Sequence, residues 1–314
     1  MSGPKEGEDI LAEEALIFDP SLWIGCQKKY KDVPLHVCNA LTKLRQIPKA
    51  VLSLLPSPDV PILDFISLKL PHQSAELVMV KIDKCFSPDA PQKDVQAFLR
   101  RSIPPKSFIT IMENSLGQAW FDGKVSIVDP RYMGSDNRLS FWVPTYWRRM
   151  DGIIKAQQRW WEARAWLQKE GTKADLPLPL LSEHELFVSI GWNVPLAKAV
   201  TKSPGITTYT LAQFLSDRWL DQEAMELMIT HLQKRLQQDP NHKKVMIASC
   251  QFFLVVEDAA SRNRYDDKSI SPALRNVEVR VKNGTLSYLY IPVFGNHHEI
   301  AVYVDFKAEK IGYG

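Results

Sequence analysis

The chain is poor in cysteine, has no long apolar run and carries little net charge, and each shortage removes a class of protein. Its four cysteines, Cys26, Cys38, Cys85 and Cys250, are unevenly spaced, without Cys-x-x-Cys or a neighbouring His pair. That pattern argues against a zinc site and against a disulfide framework, so no metal is expected and the default location is reducing and intracellular, nucleus or cytoplasm. No stretch approaches the ~18 apolar residues of a membrane span. The segment from Glu6 to Glu14 is acidic, unlike a secretory leader. Gly-rich phosphate loops and dinucleotide fingerprints are absent, and no cofactor is expected. The formal charge of +3, with the short basic pairs Lys28-Lys29 and Arg148-Arg149, reads as solvated faces and argues against nucleic acid as a partner.

What is present is enough apolar sequence for real cores. The 314 residues, at roughly 150 per domain, predict two units. Residues 1–20 hold six acids against one lysine and read as a disordered tail. Residues 21–168 read as an α-rich N-terminal domain. Its helices are expected at Lys93 to Arg101 and at Lys106 to Leu116, the latter entered through Pro104-Pro105 and stopped by Gly117. Ala119 to Val128, with Asp122-Gly123 inside it, reads as a hairpin. The longest helix is expected from Tyr146 to Glu170, with Trp147, Met150, Ile154, Trp161 and Ala165 along one face. Trp120, Trp142, Trp147, Trp160, Trp161 and Trp166 crowd this region. Such rings stack on a partner or fill a core, and the helical spacing of Trp147 and Trp161 favours the core. Residues 169–204 read as a linker, with Ser182 and Glu185 capping a short helix that ends at Gly191.

Residues 205–314 read as a second globular part. Asp221 is a helix N-cap, Glu223 suits the positive helix end, and Leu220, Ala224, Leu227, Met228 and Leu232 give one apolar face. Lys244 to Val256 is a continuous apolar run of buried-strand or buried-helix type, with Cys250 as a small core residue. Glu257 to Ser271 reads as a loop. Val277, Val279 and Val281 alternate with charged residues as in a half-exposed strand, and Asn283-Gly284 is a hairpin signal leading into an apolar strand from Leu286 to Val293. After the Gly295-Asn296 turn the chain ends in HHEIAVYVDFKAEKIGYG. A paired histidine opens a strand in which Ile300, Val302, Val304 and Phe306 alternate with Ala301, Tyr303 and Asp305. Lys307 to Lys310 then make a turn and Ile311-Gly312-Tyr313 a return strand. Helix, buried run and strands predict an α+β class.

This ending resembles the His strand of the ubiquitin-like-protein (SUMO) proteases, cysteine peptidases with a papain-like arrangement. There a His-Trp pair opens a strand that ends in an acid, followed by a Lys-rich turn and a return strand. The resemblance puts His298 on the catalytic histidine, with His297 taking its place if the register slips by one, and Asp305 on the non-catalytic acid. Residues 211–236 resemble the family's opening "L…WLND…I" segment, which makes Trp219 a substrate contact lining a tunnel for a diglycine tail. The residues alone also allow a half-buried anchor at a helix start. Glu299 stands where the family has a tryptophan over that tail. The segments "GQAWFDGK", "DPRY" and "FWVPTYW" resemble the N-terminal part of fungal multi-copy proteins that carry a SUMO-protease-like domain. The resemblance implies an incomplete papain-like cysteine-protease fold over 205–314, preceded by a mainly helical domain. It implies a ubiquitin-like modifier or its conjugates as partner, and a catalytic Asp and a cysteine in an Asp-Cys-Gly context that this sequence does not contain. The chain is therefore expected to be inactive alone. The other class weighed is a non-enzymatic remnant or adaptor that binds a protein through the aromatic N-terminal domain or Trp219.

Overall fold

A computed structural model describes residues 35–74, 81–92, 99–132, 137–170, 183–196, 205–240, 242–261, 272–295 and 298–313. The expected acidic tail therefore lies outside the described residues, as do Ser182 and most of the helix expected at 93–101. The elements are α1 (Leu35–Leu44), α2 (Ile62–Ser67), β1 (Phe86–Ser87), α3 (Lys106–Phe121), β2 (Ser126–Val128), β3 (Arg138–Leu139) and α4 (Val143–Glu170). They continue with α5 (Glu183–Ser189), α6 (Gln222–Leu236), β4 (Val245–Ile247), α7 (Phe252–Ser261), α8 (Pro272–Lys282), β5 (Tyr288–Gly295), β6 (His298–Asp305) and β7 (Lys310–Tyr313). Mixed helices and sheets make the chain α+β. It divides into two compact units, Met1–Ser57 with Ser67–Gln158, and Pro58–Ile66 with Arg159–Gly314.

The first unit is built on α3 and an antiparallel sheet of order β1-β2-β3, with Ile127 opposite both Phe86 and Leu139. Its core holds Met112, Leu116, Trp120, Phe121, Ile127, Trp142 and Trp147. The helix expected to stop at Gly117 runs on to Phe121, and the expected hairpin at 119–128 does not form. Asp122 caps the helix, Gly123 at φ 80° turns the chain out, and only Ser126–Val128 is strand. A mid-helix glycine costs about 1 kcal/mol; burying Ala119, Trp120 and Phe121 on the far side of it outweighs that.

In α4 the buried stripe moves. Val143, Tyr146, Trp147 and Met150 are buried, and beyond them Ile153, Ala156, Trp160, Ala163 and Leu167. Trp161, expected in the core, is 47 % exposed, and Ala165 is exposed too. Adjacent residues on a helix point about 100° apart, so only one of the Trp160-Trp161 pair can face inward. Trp160 does: its Nε1 donates to the Trp192 carbonyl at 3.0 Å and its ring meets Phe187 edge-on at 5.7 Å. Trp120, Trp142 and Trp147 are likewise core rings.

The second unit draws in a short segment from early in the chain. Ile62, Phe65 and Ile66 are buried, Phe65 stacks on Trp192 at 4.2 Å, and Pro61 bridges Gly191. Gly191 is required there, because a Cβ would lie 2.8 Å from the Pro58 carbonyl oxygen and 2.9 Å from the Asp59 Cα. A four-stranded sheet of order β4-β5-β6-β7 follows, with β4 parallel to β5 and the remaining pairs antiparallel. Parallel neighbours need a crossover, and α7 and α8 supply it. Their Phe252 and Val277 pack with Ala248, Leu286, Leu289 and Ile291.

Three expectations are corrected in this crossover. The apolar run 244–256 is neither one strand nor one helix, since β4 ends at Ile247 and α7 starts at Phe252. The loop expected at 257–271 is helical as far as Ser261. The strand expected at 276–282 is helix α8, and Asn283-Gly284 is its end: Gly284 has φ 66° and the Thr285 N–H donates to the Arg280 carbonyl at 2.9 Å. Val277 and Val281, one helical turn apart, pack inward with Ala273 and Leu274, while Val279 is exposed. Glu278 bridges Arg275 and Lys282 at helical spacing, which holds its carboxyl below the usual range. Pro at the first helical position and Gly just past the end are the signals that outrank the alternation.

Candidate functional site

The entry to α6 is pinned by two side chains. Asp221 caps the helix through an Oδ1 that accepts the Ala224 N–H at 3.0 Å, as its position predicts. Buried Gln213 closes a second clasp: its Oε1 accepts the Asp221 N–H at 2.9 Å and its Nε2 donates to Asp221 Oδ2. Nothing in the sequence periodicity marks Gln213, because its partner lies in a turn rather than on a helix or strand face. Trp219, inside this clasped turn, is 70 % exposed. We expect Asp221→Ala to lower stability by about 2 kcal/mol, the lost cap plus a buried amide left unpaired, and Asp221→Asn to cost less than half of that. Urea denaturation of the two variants checks this; equal losses would count against the cap.

The direction of α6 against the sheet follows from its contacts. Glu226 Oε2 accepts the Cys250 N–H at 3.2 Å, and Gln233, two turns on, donates to the Ile247 carbonyl at 2.8 Å. Helix and strand thus run antiparallel, and the amino end of α6, with Leu220 packed towards Met225 and Cys250, lies at the carboxyl end of β4. Since β5 is parallel to β4, its last residue, Gly295, lies at that same end. His298, the first residue of β6, pairs with Gly295, and Glu299 with Phe294. His298 and Trp219 therefore lie towards the same end of the sheet, β5 running five residues beyond its last β4 partner. The side chains of residues 294–299, and all of His297, lie outside the described parts.

Asp305 closes β6 at the opposite end. Its Oδ1 accepts the N–H groups of Lys307 and Ala308 at 2.9 and 3.0 Å, building the turn into β7 with Glu309 at φ 53°. Seven strand steps of ~3.3 Å separate it from His298, about 23 Å, too far to orient that ring. Across the turn Tyr303 pairs with Gly312 and its ring lies over it, so that a Cβ on Gly312 would collide with the ring.

Two of the described cysteines, Cys85 and Cys250, are buried. Burial, then the Asp129 charge, then Asp83, push the Cys85 thiol up to about 11, leaving it protonated at neutral pH. Cys250 is 2 % exposed in the cluster of Met225 and Ile229, the core role expected of it. Among the described residues no group of three or more His, Cys, Asp or Glu side chains could hold a metal, and no helix is long and apolar enough to cross a membrane. Compared with protein-family models, with curated proteins and with solved structures, the chain matches none.

Proposed function

We propose that residues 205–313 are part of a papain-like cysteine-peptidase fold of the SUMO-protease kind, and that a ubiquitin-like modifier with a diglycine tail is the partner. The observation that carries this reading is that Trp219, at the entry to α6, lies towards the carboxyl end of β4, and His298 lies at the carboxyl end of the longer parallel strand β5. An exposed indole before a capped helix can wall a narrow channel, and Glu299 in the next strand position takes the place of a second aromatic wall. In such a site the imidazole of His298 takes the proton of a cysteine thiol. The thiolate then attacks the carbonyl carbon of the second glycine itself; the C–N bond to the following amine breaks, and that amine leaves with the proton returned by the imidazolium. The sequence holds no cysteine in an Asp-Cys-Gly context, so the 314-residue chain is expected to bind the tail without cleaving it.

The test is a fluorescence-polarisation titration of the full chain with a diglycine-ended ubiquitin-like protein and with the same protein lacking its tail. Binding is expected only for the tailed form, and Trp219→Ala is expected to weaken it about tenfold, as for a central aromatic anchor. Equal binding of both forms, or an unaffected Trp219→Ala, would overturn the reading.

A further inference from the structure

At the other end of the same unit lies a groove that the proposed peptidase site does not use. It has a volume of about 510 Å³ and is walled by Leu236 of α6 and the following Gln237, by the 242–244 turn and β4, and by Arg280 of α8. That volume suits a small molecule rather than a macromolecular segment. Among the described residues no acidic side chain lines it. Arg280 is half-buried, yet its partners are both neutral: Nη2 donates to the Lys243 carbonyl at 3.0 Å and Nη1 faces the Met246 sulfur at 3.6 Å. Among the described residues no carboxylate pairs with Arg280 or with Lys243. A guanidinium has five N–H donors, so donors of Arg280 remain for a ligand. His242 also lines the groove, with its Nδ1 committed to the Asp239 carbonyl at 2.7 Å.

We propose that this groove binds a phosphate monoester of about mononucleotide size. Its dianionic phosphate sits between Arg280 and Lys243, and its organic body lies against Leu236, Val245 and Met246. Two full positive charges with no acid beside them match a doubly charged head better than a single carboxylate. A partly desolvated guanidinium held only by a carbonyl and a thioether gains most from an anion in bidentate reach. The apolar wall supplies what free phosphate cannot use. The bland alternative is that Arg280 only ties α8 to the 242–244 turn, in which case no anion is bound.

Isothermal titration calorimetry of the full chain with adenosine monophosphate, inorganic phosphate, adenosine and succinate separates the cases. Adenosine monophosphate is expected to bind saturably at millimolar or lower concentration, free phosphate more weakly, and adenosine and succinate not measurably. Arg280→Gln is expected to weaken the monophosphate about tenfold and the exposed Lys243→Gln about threefold, each charged contact being lost with its hydrogen bonds. Should Arg280→Gln unfold the unit, Lys243→Gln decides. No saturable monophosphate binding, unchanged affinity in Lys243→Gln, or adenosine binding as tightly as its monophosphate would each overturn the proposal.

Discussion

Trp160→Ala is expected to cost about 3–5 kcal/mol, the usual loss for emptying a buried aromatic site, whereas Trp161→Ala next to it should stay within about 0.5 kcal/mol. Trp160 is fully packed, meets Phe187 edge-on and donates its indole N–H to Trp192, whose own ring stacks on Phe65. Removing it opens a cavity and strips a buried carbonyl of its donor at once. Trp161 stands out with the Arg164 guanidinium 5.9 Å above its ring, an exposed contact of small worth. Because the chain has two compact units, the readout is the second unit's own transition in a urea titration, compared between the variants. A larger loss for Trp161→Ala than for Trp160→Ala would mean that the buried stripe of α4 has been placed on the wrong face.

Arg131→Met is expected to destabilise the first unit by about 3–5 kcal/mol, the cost of stranding one member of a buried ion pair. Asp129 and Arg131 are joined by two parallel contacts, Nε to Oδ1 at 3.0 Å and Nη2 to Oδ2 at 2.7 Å, with side chains only 2 % and 6 % exposed. Asp129 Oδ1 also accepts the Arg131 N–H, and Nη1 reaches the Ser102 hydroxyl. Arg131→Lys should lose most of the same energy, since a single ammonium cannot make the paired contact. Replacing both charges, as Asp129→Leu with Arg131→Met, should cost less than the two single losses summed, because neither charge is then left alone. A double-mutant cycle by chemical denaturation gives the coupling; strict additivity would show that the two groups act independently.

Much of the second unit was legible in the sequence, and the failures share one cause. The end of the chain carries strict alternation with one face apolar, and β6, its turn and β7 form where that pattern places them. Asp221 was legible as a cap because its chemistry is local. Val277, Val279 and Val281 also alternate, yet α8 forms, because the same valines satisfy a helical spacing with Ala273 and Leu274 while Pro272 and Gly284 bound it. Ambiguous periodicity is resolved by what each face packs against, and that is non-local. The same holds for Gly117, a local stop overridden by burial of Trp120 and Phe121, and for Trp161, where a face read from Trp147 does not continue past Met150. The segment Pro58–Ile66 joins a core assembled from residues beyond 159, a long-range pairing that leaves no periodic trace. At the candidate site, the strand that His298 opens was legible from its alternation, but the Gln213 clasp around the turn that carries Trp219 was not.

The tyrosine laid over Gly312 acts on β7 as a pawl does on a ratchet. A slip by one residue would bring Ile311 or Tyr313 beneath the ring in place of the glycine and would turn every side chain of β7 to the other face. The outer strand is thus held in phase by volume as much as by its ladder of hydrogen bonds. On heating it should leave the sheet in one step instead of creeping along it.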